Sequence, residues 1–181
     1  MGSEARQLHI FFFPFMAQRH MIPTIDIARL FAARGTKSTI ITTPLNALHF
    51  TQSIERDKQS GLDIGIVVIP FPSVEAGLSK GCEDQSAISS KEMDMNFFKA
   101  VAMLEKPFEQ LLEQHRPDCL VAICSYLGQP MLLRNMEFHG SSFMENAISL
   151  YVFLKTLSYT LLMKRLHRIQ KYSSCLDYQT K

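Results

Sequence analysis

The sequence lacks an excess of either charge, because 19 lysines and arginines are set against 17 aspartates and glutamates. The net charge of +2 therefore indicates neither a nucleic-acid partner nor an acidic one. A run of about 18 apolar residues is also missing, so no membrane-spanning segment is predicted. The 181 residues are 46 % hydrophobic, which is typical of a single soluble domain with a buried core.

Cysteine is scarce, and no two of the four cysteines are spaced as C-x-x-C. This absence argues against a zinc site and against the disulfide framework of a small secreted domain. We therefore expect reduced thiols, no resident metal and a cytoplasmic location. The cysteines are Cys82, Cys119, Cys124 and Cys175.

Apolar strands and amphipathic helices alternate through the first two thirds of the chain. Strands are predicted at His9 to Phe15, Lys37 to Pro44, Ile64 to Pro72 and Asp118 to Ala122, and helices from near Pro23 to Gly35, from Asn46 to Gly61 and from Ser90 to Pro117. Such an alternation predicts an α/β fold with a Rossmann-like parallel sheet. Ligands of these sheets bind beyond the carboxyl ends of the strands.

The turn after the first strand contains no glycine between Met16 and Met21. This absence excludes both the dinucleotide-binding fingerprint and the P-loop, which need glycines at fixed positions. His20 lies at the far end of this turn, where a parallel sheet places its ligands. Two roles stay open from the residues alone. His20 caps or solvates the helix start, which its position slightly favours, or it acts as a general base near neutral pH.

Several stretches of the sequence resemble one enzyme family in the same order and spacing. HIFFFPFMAQRHMIPTIDIARLFAARGTKSTIITTPLNA is similar to the start of plant family 1 UDP-glycosyltransferases, which have the GT-B fold, and VVIPFPSVEAGLSKGCED and EQHRPDCLVA continue the similarity. The resemblance covers 8–122 and implies a truncated N-terminal, acceptor-binding domain there. Arg19 replaces a glycine of the family and is expected to crowd the site.

The resemblance also implies the chemistry of this turn. His20 would be the catalytic base that deprotonates an acceptor hydroxyl, which then attacks the anomeric carbon of a UDP-sugar and displaces UDP. Phe15, Met16 and Arg19 would contact a small hydrophobic or phenolic acceptor. No cofactor is implied, since the UDP-sugar is a substrate. The family places a carboxylate partner for the histidine directly after the fourth strand, where this sequence has Ile123.

The similarity stops at Ile123, and 123–181 is predicted to be a non-family tail. From Ile123 onward, the amino-acid sequence matches the translation of family codons shifted by one base, as at Glu137 to Gly140. We therefore interpret the tail as out-of-frame translation, irregular or helical in structure, with splicing into an intron or an unrelated natural tail as the alternatives. The later strands of the domain would then be absent, which leaves the fourth strand as an exposed edge. An apolar stretch leading into basic residues also permits an interfacial membrane helix, although membrane binding is not expected.

The sequence contains no tryptophan, whereas the family binds its UDP-sugar through a C-terminal signature rich in that residue. We therefore expect a glycosyltransferase fragment that is inactive by itself. The alternative is a non-catalytic fragment that binds an acceptor or a partner protein, with the oligomeric state left open. Two acidic residues of the long loop, Glu83 and Asp84, are predicted to face solvent.

Overall fold

A computed structural model describes residues 6–124, 141–144 and 149–154 of the chain. The strands are β1 (His9–Pro14), β2 (Lys37–Thr42), β3 (Ile64–Val68), β4 (Cys119–Cys124), β5 (Ser141–Met144) and β6 (Ser149–Leu154). The helices are α1 (Gln18–Ala32), α2 (Pro44–Leu48), α3 (Thr51–Gln59), α4 (Lys91–Met103) and α5 (Glu105–His115). The predicted α/β class is confirmed.

The strands form one sheet in the order β3-β2-β1-β4-β6-β5. The first four strands are parallel, with β1 at the centre between β2 and β4. β6 pairs with β4 in antiparallel orientation, and β5 pairs with β6 in the same way. The prediction that the fourth strand is an exposed edge is therefore wrong, because β6 satisfies its backbone hydrogen-bonding groups. The prediction of an irregular or helical tail is likewise wrong at 141–144 and 149–154, which are strands.

The central strand β1 supplies the core on both faces of the sheet. Because side chains alternate along a strand, Phe11 and Phe13 pack into one cluster with α4 and α5. Ile10 and Phe12 point to the other face and pack with α1 and α3. Burial on both faces explains the uninterrupted apolar run of this strand. The strand ends at Pro14, one residue before the predicted end at Phe15, since proline has no N–H for the ladder.

Two predicted helices are each divided in the structure. The long helix from Ser90 to Pro117 is α4 and α5, separated at Leu104. Pro107 is the third residue of α5, where a missing N–H costs little. The helix from Asn46 to Gly61 is α2 and α3, separated near Phe50, whose φ of −136° is not helical. Phe50 is buried in the same cluster as Ile10 and Phe12 of β1. Its packing against the sheet therefore accounts for the break between the two helices.

Among the described residues, no helix is long and apolar enough to cross a membrane. Within the same part of the chain, no group of three or more histidine, cysteine, aspartate or glutamate side chains is placed to hold a metal ion. Cys82 and Cys119 are free, buried thiols. Burial raises the pKa of the Cys119 thiol to about 12, so this side chain stays protonated.

Candidate functional site

The candidate site lies at the turn between β1 and α1. α1 begins at Gln18, so His20 is the third residue of the helix rather than part of the preceding turn. The predicted helix start near Pro23 is wrong by more than one turn. Pro23 lies inside the helix and cannot donate to the carbonyl of Arg19, four residues earlier. The early start brings His20 onto the first turn, with its backbone fixed by helical hydrogen bonds.

The His20 side chain is 6 % exposed, and each ring nitrogen has a distinct environment. Nε2 accepts a hydrogen bond of 3.2 Å from Nε of Arg19. Nδ1 is buried and has no hydrogen-bond partner among the described residues. An arginine Nε always carries hydrogen, so Nε2 must present its lone pair, and the neutral ring carries its proton on Nδ1. The contact with Arg19 therefore occupies the nitrogen that would accept a proton.

Burial is the main cause that lowers the pKa of His20 below its ordinary value, and the positive charge of Arg19 lowers it further. Both causes disfavour the imidazolium. His20 is therefore a neutral imidazole at physiological pH, which is the protonation state that a general base requires.

Aromatic side chains pack against the inner side of His20. The rings of Phe15 and His20 meet edge to face at a centroid distance of 5.7 Å. Phe15 also contacts Phe97 at 6.1 Å and stacks on Phe98 at 6.3 Å, both from α4. These contacts couple the orientation of the His20 ring to the core between the sheet and α4.

An open groove of about 670 Å³ lies beside the start of α1. One wall consists of Ala17, Gln18 and Arg19, and the other is formed by residues between Gln85 and Asp94. The backbone N–H of Gln85 donates to the carbonyl of Met16 at 2.8 Å, which ties the two walls together. The second wall comprises Gln85, Ser86, Ile88, Ser89, Ser90, Lys91 and Asp94.

Of the predicted acceptor-contacting residues, Arg19 lines this groove, whereas the predicted base His20, the next residue in the chain, is buried and is not a lining residue. Phe15 and Met16 are buried at 6 % and 2 % exposure and are not among its lining residues. Their acceptor contacts therefore stay predictions. The second wall was not predicted as part of a site. The available signal was Ser90, whose hydroxyl accepts from the Met93 N–H at 3.2 Å and marks the start of α4.

The long loop before this wall is anchored by a buried carboxylate. Glu83 is 8 % exposed, so the prediction that it faces solvent is wrong. Its carboxylate accepts from the backbone N–H of Leu45 at 2.8 Å, and its carbonyl accepts from the Asn46 side chain at 2.9 Å. Glu83 thereby caps the first turn of α2, whose N–H groups have no helical partner. Asp84 is half-buried and bonds to Ser86 of the groove wall.

The end of β4 reaches the same edge of the sheet. β4 continues to Cys124, and the backbone of Ile123 lies opposite Pro14 in the parallel register. Position 123, where the resemblance implied a carboxylate, is therefore beside the strand that leads to His20. Within the part of the chain that the structure describes, no carboxylate bonds to His20.

Sequence similarity to two plant glucosyltransferases identifies the family of this chain. A scopoletin glucosyltransferase of Nicotiana tabacum is 48 % identical over 161 residues, which cover 84 % of this chain and 34 % of the tobacco protein. An anthocyanin 3'-O-beta-glucosyltransferase of Gentiana triflora is 46 % identical over 145 residues, which cover 75 % of this chain and 29 % of that protein. No protein-family model matches the chain. The chain belongs to the plant family 1 UDP-glycosyltransferases.

The solved structures of other UDP-glycosyltransferases have the same fold in their N-terminal part. UGT73P12 of Glycyrrhiza uralensis, complexed with glycyrrhetinic acid 3-O-monoglucuronide, matches with a TM-score of 0.58 and 36 % identity over 62 % of this chain and 23 % of its own. UGT89C1 of Arabidopsis thaliana, complexed with quercetin, matches with a TM-score of 0.54 over 64 % of this chain and 29 % of its own. At 23 % identity, this second match shows the fold alone.

The chain spans about a third of the length of the curated relatives that it matches. The alignment with the tobacco protein covers 84 % of the chain, a share that 8–122 cannot supply, so it extends into the predicted tail. The interpretation of the tail as out-of-frame translation stays a prediction.

Proposed function

We propose that the groove beside His20 binds a small phenolic acceptor and that His20 is the base for glycosyl transfer to its hydroxyl group. The acceptor hydroxyl would lose its proton to the imidazole while its oxygen attacks the anomeric carbon of a UDP-sugar and UDP departs. The relatives include a scopoletin glucosyltransferase and an anthocyanin 3'-O-beta-glucosyltransferase. Both names designate phenolic acceptors, which supports this class of acceptor.

The single observation that carries the proposal is the neutral, buried imidazole of His20, which is hydrogen-bonded to Arg19, a residue that lines an open groove at the carboxyl edge of a parallel sheet. Burial keeps the ring uncharged, as a general base requires. Its Phe15 contact holds the ring in one orientation. The groove is a cleft at the edge where α/β sheets bind their ligands.

A specific contact favours a second candidate, a fragment that binds acceptors without catalysis. Arg19 occupies the Nε2 lone pair of His20, and Nδ1 has no acceptor among the described residues to stabilise an imidazolium. A base that lacks this stabilisation is weak, because a carboxylate partner orients the ring and offsets its positive charge. We therefore expect acceptor binding from this chain by itself and no measurable turnover.

The experiment uses the purified chain with UDP-glucose and either scopoletin or quercetin. Acceptor binding is followed by fluorescence titration, and glucoside formation is followed by mass spectrometry. His20→Ala is compared with His49→Ala, since His49 is exposed on the helical segment after β2. Saturable binding without turnover supports the acceptor-binding candidate. Turnover that His20→Ala abolishes and His49→Ala preserves supports the base role, whereas absence of any binding contradicts both.

Two further assignments are also proposals. A cytoplasmic location fits the free thiols of Cys82 and Cys119. Out-of-frame translation of 123–181 is tested by sequencing the transcript around codon 123. A single missing base, whose restoration converts Ile123 to Asp, supports the interpretation. An intact reading frame with an isoleucine codon contradicts it.

A further inference from the structure

The groove beside His20 contains two positive side chains without an ionic partner. Arg19 lines one wall and Lys91 the other. No ion pair among the described residues involves either of them. Asp94 is the one carboxylate among the described lining residues. The formal charge of the groove is therefore positive, although the chain through Ala122 has a slight excess of acidic residues.

We propose that this groove selects acceptors that carry a carboxylate in addition to their phenolic hydroxyl, and that Arg19 is the residue that determines this selectivity. The inference rests on the proposed function, since it names the class of acceptor for the same site. In this inference Arg19 binds the carboxylate of the acceptor, a role that is separate from its hydrogen bond to His20.

The Arg19 side chain is suited to this role by its exposure and its bonding. It is exposed to solvent, and its one polar contact among the described residues is the 3.2 Å bond to neutral His20. A carboxylate is a better acceptor than a neutral imidazole for a guanidinium, because the bond is charge-assisted and can be bidentate. An anionic ligand in the groove would therefore compete successfully for the Arg19 donors.

The second wall adds to the attraction for an anion. Lys91 is the first residue of α4, and the Gln85 to Met16 backbone bond holds this wall against the one that carries Arg19. Two positive charges thus border the same groove, partly offset by Asp94. Coulomb attraction to a monoanion is stronger in such a cleft than on a flat surface exposed to water.

Binding of a carboxylate would also change the state of His20. The side-on pairing of arginine with a carboxylate uses Nε–H, which is the hydrogen now donated to His20 Nε2. Transfer of this donor to the ligand frees the Nε2 lone pair. A neutral phenol offers no comparable partner to Arg19 and leaves Nε2 occupied. Carboxylate-bearing acceptors would therefore both bind more tightly and meet an unoccupied base.

The test compares 4-hydroxybenzoate with its methyl ester, which differs by the loss of the negative charge. Dissociation constants are measured by calorimetry at pH 7.5 for the full chain, for Arg19→Gln and for Arg34→Gln, an exposed arginine outside the groove. We expect the acid to bind about tenfold more tightly than the ester to the unmodified chain. Arg19→Gln should bind the acid and the ester with about equal affinity, whereas Arg34→Gln should keep the preference for the acid.

A second measurement uses only the unmodified chain, so its result does not depend on whether the variants fold. The advantage of the acid over the ester should shrink as the salt concentration rises from 50 mM to 500 mM, because screening weakens the charge interaction. Equal affinity for acid and ester in the unmodified chain overturns the inference and leaves the proposed function intact. Binding of neither compound overturns the proposed function together with the inference. A preference for the acid that Arg19→Gln retains overturns the assignment to Arg19.

Discussion

Nε of Arg19 donates a 3.2 Å hydrogen bond to Nε2 of His20, its neighbour in the chain. The donor is permanently charged and the acceptor is the candidate base. One contact therefore joins the residue proposed to bind an anion and the residue proposed to accept a proton. The contact consumes the lone pair that would take a proton, and it places a positive charge beside a ring whose charged form is already disfavoured by burial. The chemistry of His20 therefore depends on the position of the Arg19 side chain.

Replacement of Arg19 by glutamine is expected to raise the pKa of His20, because it removes the positive charge that disfavours the imidazolium. The pKa should stay below its ordinary value, since burial is the larger cause and remains. NMR titration of the histidine ring protons measures this change. Arg34→Gln is the matched control and should leave the titration unaltered. A His20 pKa that is the same in both variants contradicts the proximity of the two side chains.

Stability should fall as the solution is made more acidic, because both His9 and His20 have lowered pKa values in the folded chain. The unfolded chain binds a proton at each site as the pH falls through about 6.5, whereas the folded chain resists protonation. The free energy of unfolding therefore decreases from that pH downward until the folded groups titrate. Above that pH the stabilisation is fully present, and these two histidines no longer make the stability depend on pH. Denaturant titrations between pH 5 and pH 8 measure the slope.

His20→Gln isolates one of the two protons in this pH dependence. The difference in the free energy of unfolding between the variant and the unmodified chain should be constant above about pH 7. Below that pH it should change with the slope that corresponds to the uptake of about one proton on unfolding. The remaining titratable groups cancel in the difference. A flat difference curve over the whole range would show that His20 titrates alike in the folded and unfolded chain, contrary to its burial.

Phe97→Ala should destabilise the fold by about 3–5 kcal/mol, because it removes a large side chain from a fully buried position and leaves a cavity. Phe97 contacts Phe15 and Phe71 within the cluster that supports His20. Met95→Ala on the same helix is the control, since Met95 is 68 % exposed and should cost less than about 0.5 kcal/mol. Chemical denaturation monitored by circular dichroism gives both values. Equal costs would contradict the described packing of α4.

Ile123→Asp should raise the pKa of His20 by supplying a carboxylate at the edge of the sheet where β4 lies beside β1. Ile123→Asn is the matched control, since asparagine has nearly the same shape without the charge. We expect the aspartate variant to shift the titration of His20 upward and the asparagine variant to shift it little. NMR titration measures both, and identical titrations of the two variants would contradict the expected effect of a charge at position 123.

The four parallel strands, and the edge of the sheet at which His20 lies, could be predicted from the sequence because they depend on local patterns. The continuous apolar run from Ile10 to Phe13 requires burial on both faces, and this places β1 at the centre of the sheet. The end of that strand then determines which residues reach the edge where ligands bind. Strand-helix alternation and the position of Pro14 were sufficient for this part.

The helix boundaries and the second wall of the groove could not be predicted from the same patterns. The break at Leu104 depends on the burial of that side chain beneath α4 and α5, and the burial of Glu83 depends on free N–H groups of a distant helix. Both are long-range contacts that no local periodicity reports. The bond between Arg19 and His20 was anticipated only as crowding, because side-chain direction on the first turn depends on where the helix begins.

Binding of a phenolic acceptor in the groove beside His20 is tested most directly by NMR of the chain with labelled histidine during titration with scopoletin. We expect a saturable shift of the His20 ring signals at the same scopoletin concentration that saturates fluorescence binding, with the His49 and His115 signals unchanged. Saturable scopoletin binding that leaves the His20 signals unmoved would place the acceptor elsewhere and contradict the proposed function.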